Sequence, residues 1–325
     1  MSKYNLLIFF TSFLLLGCSS KHNYKKYEFS KISMNTIFSI TIYSNIEKQK
    51  LEKIVDKAYK VVEELEEKFS VSKPKSIVSI LSKEKKAPVD EEIYYILESA
   101  RQFYKISSKK FDITIGSLVR CWGFYNEGYR LPTAIEILSA KRKVGFNNLT
   151  YDRNFIKANG EVFLDFGGIL KGYAVEKVVK TLKNEGIETG IVNAGGNIKV
   201  FGKKPDGTPW RIGIRHPRKN GEIYKVIELN PQEAIATSGD YERYFITNGI
   251  RYHHIIDPAT GYPVKNEIVS VSVIFTNAML VDAYSTTFFL LGVQKSRKII
   301  EKNNKLKVIF LLQTNENTPL VEIDF

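Results

Sequence analysis

Residues 277–291 are apolar almost throughout, yet they carry Asp282 and, one helical turn on, Thr286. A carboxylate in such a segment is costly unless it is paired, hydrogen-bonded or bound to a metal. Residues four apart share a helix face, so the carboxylate and the hydroxyl point the same way. Hard oxygen donors of this kind suit Mg2+ better than zinc. A helix N-terminus or Lys171 could equally satisfy the carboxylate, and the spacing alone leaves both readings open. A second set is Asp165-Phe166-Gly167-Gly168, followed by Lys171. Val162, Phe163, Leu164 and Phe166 read as an extended strand that runs into the glycines, and a helical pattern follows (Val175, Val178, Val179, Leu182) until Gly186. Such a corner offers unpaired N–H groups and close approach to an anion such as phosphate. Asp165 beside it suits a ribose hydroxyl or a nearby metal. The run is no Walker loop, since G-x-x-x-x-G-K-[ST] is missing; a bare tight turn is the plainer reading of the glycines alone.

His253 and His254 precede Asp257-Pro258. In an extended chain the two imidazoles alternate, so only one can face a site. A neutral imidazole could act there as a general base near pH 7; a structural histidine is the plainer reading of either one alone. No Ser-His-Asp arrangement and no Cys/His zinc spacing is present.

The elements that must position these groups are legible in outline. Residues 37–43 alternate as a half-buried strand, and 47–69 form an amphipathic helix with Leu51, Ile54, Val55, Ala58, Val62 and Leu65 on one face. Residues 76–81 read as a short helix, and Asp90 caps another reaching Tyr104. Thr133-x-x-Glu136 is a capping box for a helix to about residue 144. Residues 190–193 and 198–201 are strands joined at Gly195-Gly196. Short strands fill 210–254, with 237–241 as a polar turn among them. A strand at 268–275, a helix from Asn277 to Gly292, a helix at 294–303 and strands at 307–312 and 320–324 complete the chain. Helices early and strands throughout predict an α+β fold, mixed or antiparallel sheets packed with helices.

The chain of 325 residues is 43% hydrophobic and 26% charged, enough for a sizeable core. Its +13 formal charge is spread rather than clustered. That suits anionic ligands or a membrane surface. Residues 1–17, with Lys3 and an apolar run from Leu6, are too short for a membrane span and read as a signal peptide. The ending Leu15-Leu16-Gly17-Cys18 resembles a lipobox, with Cys18 lipidated. Residues 18–30 would then be the lipidated N-terminus and tether, and 31–325 the domain. The expected place is the cell envelope, anchored to a membrane on its periplasmic side or at the cell surface; exported, the protein has no nucleic acid as partner. Cys121, the other cysteine, reads as a buried thiol.

Taken in order, Asp165 to Tyr173, Asn193-Ala194-Gly195-Gly196-Asn197, Thr237-Ser238-Gly239-Asp240-Tyr241, His254-Ile255-Ile256-Asp257-Pro258-x-Thr260-Gly261 and Asp282-x-x-x-Thr286 form a series. It closely resembles the ApbE-type FAD:protein FMN transferases, and Met34-x-Thr36 and Phe111-Asp112-Ile113-Thr114 match as well. The resemblance covers essentially the whole mature chain. It implies a two-lobed α+β fold with an FAD cleft, Mg2+ as cofactor, and transfer of FMN through a phosphoester to a threonine or serine of a partner flavoprotein, such as a membrane redox subunit, with release of AMP. Carried onto this chain, it places Met34, Phe111, Asp112, Ile113, Asp165, Lys171, Gly195, Gly196, Ser238, Gly239, His254 and Ile255 at FAD. It places Mg2+ on Asp282, the Thr286 hydroxyl and the carbonyls of Gly168 and Ser285, with His254 as base. Two departures stand out: Val71-Ser72 where many members carry an aromatic that stacks on the flavin, and Leu170 where alanine is frequent. The other readings are an FAD pyrophosphatase giving FMN and AMP, and a flavin-binding lipoprotein without catalysis.

Overall fold

The computed structural model describes residues 24–125, 128–314 and 318–325. Strands β1 (Lys25–Ser33) and β2 (Thr36–Ser44) open it as a hairpin, followed by the long helix α1 (Lys48–Phe69). Next come α2 (Ile77–Glu84), β3 (Lys86–Pro88), α3 (Glu91–Ile106), α4 (Gly116–Cys121), α5 (Ala134–Lys141), β4 (Leu149–Tyr151) and β5 (Phe155–Ala158). Helix α6 (Leu170–Asn184) leads into β6 (Thr189–Ala194) and β7 (Asn197–Phe201). Then follow the hairpin β8 (Trp210–Arg215) and β9 (Ile223–Leu229), β10 (Ala234–Gly239), and the hairpin β11 (Tyr244–Thr247) and β12 (Ile250–His253). β13 (Ile268–Phe275), α7 (Ala278–Leu291), α8 (Val293–Ile300), β14 (Lys307–Leu312) and β15 (Val321–Asp324) end the chain.

The main sheet runs β1-β2-β6-β7-β10-β13-β14-β15. Each neighbouring pair is antiparallel. Its register follows the side-chain alternation. Phe38, Ile40 and Ile42 of β2 are fully buried on the face that α1 and α6 cover, each contributing about 2 kcal/mol by leaving water. α1 offers the stripe the sequence predicts, and Tyr59 from it meets Phe38 edge-on. The other face of the sheet is covered by the β8–β9 hairpin, whose Trp210, Ile212 and Ile214 pack with Val269, Ile274 and Leu311. β13 is therefore buried on both faces. A third apolar cluster gathers Leu118, Trp122, Phe124, Ile137 and Ile256 around α4, α5 and the β11–β12 hairpin.

The turns explain why one end of the sheet is special. Gly195 and Gly196, both at positive φ, join β6 to β7. Only glycine fits at Gly195, because a Cβ there would lie 2.2 Å from Thr36 Oγ1. The β1–β2 turn, with Met34 and Asn35 also at positive φ, is thereby pressed against it. Antiparallel pairing brings the end of β10 to the same side.

Several expectations change. Residues 18–30 are not tether throughout: from Lys25 the chain is strand, with Tyr27 and Phe29 half-buried against the core. Thr237, Ser238 and Gly239 finish β10 instead of forming a turn; their hydroxyls are accommodated by side-chain partners, so polarity does not break the strand. Residues 162–166 make only an isolated bridge, Phe163 with Ile115. Residues 1–17 and Cys18 lie outside the described residues.

Candidate active site

α6 and α7 cross so closely that a Cβ on Gly172 would lie 2.1 Å from the Ala278 carbonyl and 2.7 Å from Asp282 Cβ. This contact brings Gly172 N–H to Asp282 Oδ2 at 2.9 Å. Lys171 Nζ stands 4.0 Å from Asp282 Oδ1 and donates to the Gly167 carbonyl at 2.8 Å. Asp282 is only 4% exposed. Burial pushes its carboxyl up, and Lys171 and the Gly172 N–H oppose that without cancelling it. The donor that the glycine corner was expected to offer an external anion is thus spent on the protein's own carboxylate, at the start of a helix.

Hydroxyls surround this pair. Ser238 Oγ lies 2.9 Å from Ser285 Oγ and 3.3 Å from Thr286 Oγ1. A Cβ on Gly168 would come 3.3 Å from Thr286 Oγ1 and 3.0 Å from the Phe111 ring, so the glycine keeps a cradle open beside Thr286. Among the described residues no three His, Cys, Asp or Glu side chains gather as a metal cluster. One carboxylate with hydroxyl and carbonyl oxygens about it is a donor set for Mg2+, which keeps several waters, and not for zinc. The residues present therefore fit that ion.

His254 is half-buried. Its Nδ1 lies 3.2 Å from the Arg243 carbonyl. A carbonyl only accepts, so Nδ1 carries the hydrogen and the neutral ring keeps its lone pair on Nε2. Burial, then Arg243, His253 and Lys171, hold its pKa well below the ordinary value. His253 is the structural one of the pair: Nε2 meets the Val264 carbonyl at 3.1 Å, and Nδ1 accepts from Ile255 N–H.

The remaining predicted residues divide. Met34 shapes the β1–β2 turn, its N–H held by Glu66, and Gly195 and Gly196 form the turn beside it. Gly239 closes on the Tyr241 ring, where a Cβ would meet it at 2.5 Å. Asp112 points inward: its oxygens accept from Thr114 N–H, Thr114 Oγ1 and Phe146 N–H, so its side chain shapes its own loop. Ile113 is buried, and its carbonyl accepts from Asp165 N–H at 2.6 Å. Asp165 accepts from Gly167 N–H and from the Tyr125 hydroxyl. Ile255 is buried, its carbonyl accepting from Val264 N–H.

Sequence reasoning missed Tyr125, Lys110 on Asp257, and the fork of Arg218 on Asp240, both bonds 2.7 Å. It also missed Lys199, buried in β7, which holds Glu176 at 2.7 Å and the Thr276 carbonyl at 2.6 Å. Glu176 in turn accepts from Ala278 N–H, the first of α7. A lysine in a strand that reads Ile-Lys-Val carries no sign of which face it takes.

An antiparallel sheet with a carboxylate, three hydroxyls, a lysine and a neutral imidazole gathered near one end defines an oxygen-lined site of the kind that handles phosphate esters. A family model described as the ApbE family matches residues 34–310. The chain belongs to the ApbE family. An FAD:protein FMN transferase of Haemophilus influenzae is 35% identical over 229 residues, 68% of this chain and 66% of that protein. One of Vibrio cholerae is 30% identical over 322 residues, 96% of this chain and 95% of that protein. Among solved structures, the flavin transferase ApbE of Vibrio cholerae superimposes with a TM-score of 0.82 at 28% identity, covering 93% of this chain and 97% of that one. The ApbE protein of Thermotoga maritima gives 0.81 at 31% identity, covering 91% and 96%.

Proposed function

We propose that this protein is an FAD:protein FMN transferase. The observation that carries it is the convergence of 165–172, 237–239 and 282–286 on one spot, where Gly172 N–H and Lys171 meet Asp282 and Ser238 meets Ser285 and Thr286. The attacking group is a threonine or serine hydroxyl of a partner flavoprotein. Its oxygen forms a bond to the FMN phosphorus while the pyrophosphate P–O bond to AMP breaks. His254 Nε2 takes the hydroxyl proton, and AMP departs with the electron pair. Lys171 offsets charge developing on the phosphate oxygens. Mg2+ would be held by Asp282, Thr286 and the carbonyls of Gly168 and Ser285; bound, it supplies Lewis acidity toward the pyrophosphate. The FAD contacts proposed from Phe111, Asp165, Ser238 and the Gly195-Gly196 turn line the same end of the sheet.

Export and anchoring through Cys18 would put this chemistry at the surface of a membrane in the cell envelope. Among the described residues no helix is long and apolar enough to cross a membrane, and attachment through a lipid needs none.

The test is Asp282→Ala, assayed by AMP release and FMN attachment with and without Mg2+. We expect transfer to fall by about a hundredfold or more and Mg2+ dependence to vanish. A Mg2+-dependent rate equal to wild type would remove Asp282 from the metal.

A further inference from the structure

Fifteen large apolar side chains stand exposed among the described residues, and eight of them lie between Tyr129 and Leu138 or between Tyr244 and Tyr262. These two short stretches are one module, joined through the cluster around Trp122. The concentration is not scatter of the ordinary kind.

The module has a continuous aromatic floor. Exposed Tyr129 stacks on Phe245 at 5.8 Å, Phe245 on Tyr252 at 5.3 Å, Tyr252 on Trp122 at 5.3 Å, and Trp122 meets exposed Tyr262 at 5.6 Å. Phe124 touches Tyr129 and Phe245 and lies edge-on to His254 at 6.2 Å. Ile250 shares the Phe245–Tyr252 face of the hairpin, since its cross-strand partner Thr247 lies two residues beyond Phe245. Leu131 follows Tyr129 by two residues. Exposed Tyr129 is therefore separated from the imidazole by one buried ring, Phe124.

We propose that this surface docks the acceptor protein, seating a segment with aliphatic or aromatic side chains close to the hydroxyl that is modified. The inference rests on the transferase reading. Its physical basis is continuity: the hydroxyl must reach His254 from solvent, and the polypeptide carrying it must cover whatever surrounds the ring. Apolar anchors seated in such a surface supply most of the affinity of an interface, and aromatic floors are where they concentrate. Tyr244 and Ile246 alternate onto the other face of the hairpin; a flavin ring alone could cover one or two of the remaining six, not all six spread over one hairpin, α5 and the loops beside them.

The experiment uses two short synthetic peptides with a central threonine, one flanked by leucine and tyrosine and one by alanine. Full-length enzyme, FAD and Mg2+ are added, and FMN attachment is read by mass spectrometry. AMP release without peptide, FAD affinity by fluorescence, and binding to vesicles of phosphatidylethanolamine and phosphatidylglycerol are measured alongside. Wild type should modify the apolar-flanked peptide with KM lower by about tenfold. Ile250→Asp and, independently, Leu131→Asp should erase that preference while leaving FAD affinity and AMP release as in wild type. No preference in wild type, or its survival in both variants, overturns the proposal, and so does FAD cleavage with neither peptide modified. Weakened FAD affinity assigns the surface to the flavin instead, and loss of vesicle binding with the peptide preference retained assigns it to a lipid surface; either result overturns it. Wild type that binds FAD but releases no AMP under any condition would sink the transferase reading itself.

Discussion

His254 donates through Nδ1 to the Arg243 carbonyl, and its ring is hemmed in by Phe124 and by the charges of Arg243 and Lys171. Imidazolium is disfavoured there on three counts: it loses hydration, and two cations repel it. The pKa is depressed, so the basic form persists as pH falls through 6.5 and is lost only well below it. Transfer should therefore be flat from about pH 8 to 6.5 so far as this group governs it, with the acid limb of kcat/KM at lower pH. His254→Gln should cut transfer by roughly 10²–10⁴ and remove that limb. A limb centred above pH 6.5 that disappears in the glutamine variant would show that the ring is not shielded in this way. Which histidine does this was only half legible: alternation said that one of two faces the site, but the choice depends on Val264 and Arg243, eleven residues from each.

At the scale of elements, the crossing of α6 and α7 sets the geometry. Gly172 permits the close approach, and the Lys199–Glu176 pair locks it by bonding both Ala278 N–H and the Thr276 carbonyl. Lys199 is 7% exposed, so removing it leaves Glu176 charged beside a buried helix start. Lys199→Met should cost about 3 kcal/mol, read as a lower urea midpoint at unchanged slope. It should also weaken transfer, because Asp282 sits on the first turns of α7. Full stability in Lys199→Met would mean the pair is dispensable. The helices themselves were legible in the sequence, with Asn277 and Gly292 bounding α7 and the Thr133–Glu136 box starting α5, because caps and periodicity are local. Lys199 with Glu176, Tyr125 with Asp165 and Arg218 with Asp240 were not, because nothing local says which distant segment a side chain will meet. The 237–241 stretch misled for the same reason: its hydroxyls look like a turn until Ser272 and Ser285 supply partners.

Over the whole molecule, the eight-stranded sheet separates two faces and two ends. Helices cover one face and the β8–β9 hairpin the other. Thr36, Gly195 and Gly239 mark the site end, whereas Trp210 packs against Tyr43 and donates to the Gly202 carbonyl at the far end. Seven residues of strand separate Thr36 from Tyr43, about 23 Å at the usual rise. Trp210 should therefore carry stability and not chemistry. Trp210→Ala opens a cavity in the second core and should cost about 3–5 kcal/mol, lowering the urea midpoint. FAD affinity and kcat/KM, measured cold where the variant remains folded, should match wild type, since nothing at the site end loses a contact. If kcat/KM fell about tenfold with near-ultraviolet dichroism intact, the hairpin would have to be counted as part of the site's support: Ile214 and Arg215, at its other end, border a cavity of about 50 Å³ beside Gly196 and Thr237. That border and the Arg218 fork on Asp240, the residue after Gly239, link the far cover to the site end, so substitutions there, and not at Trp210, are where stability and activity should move together.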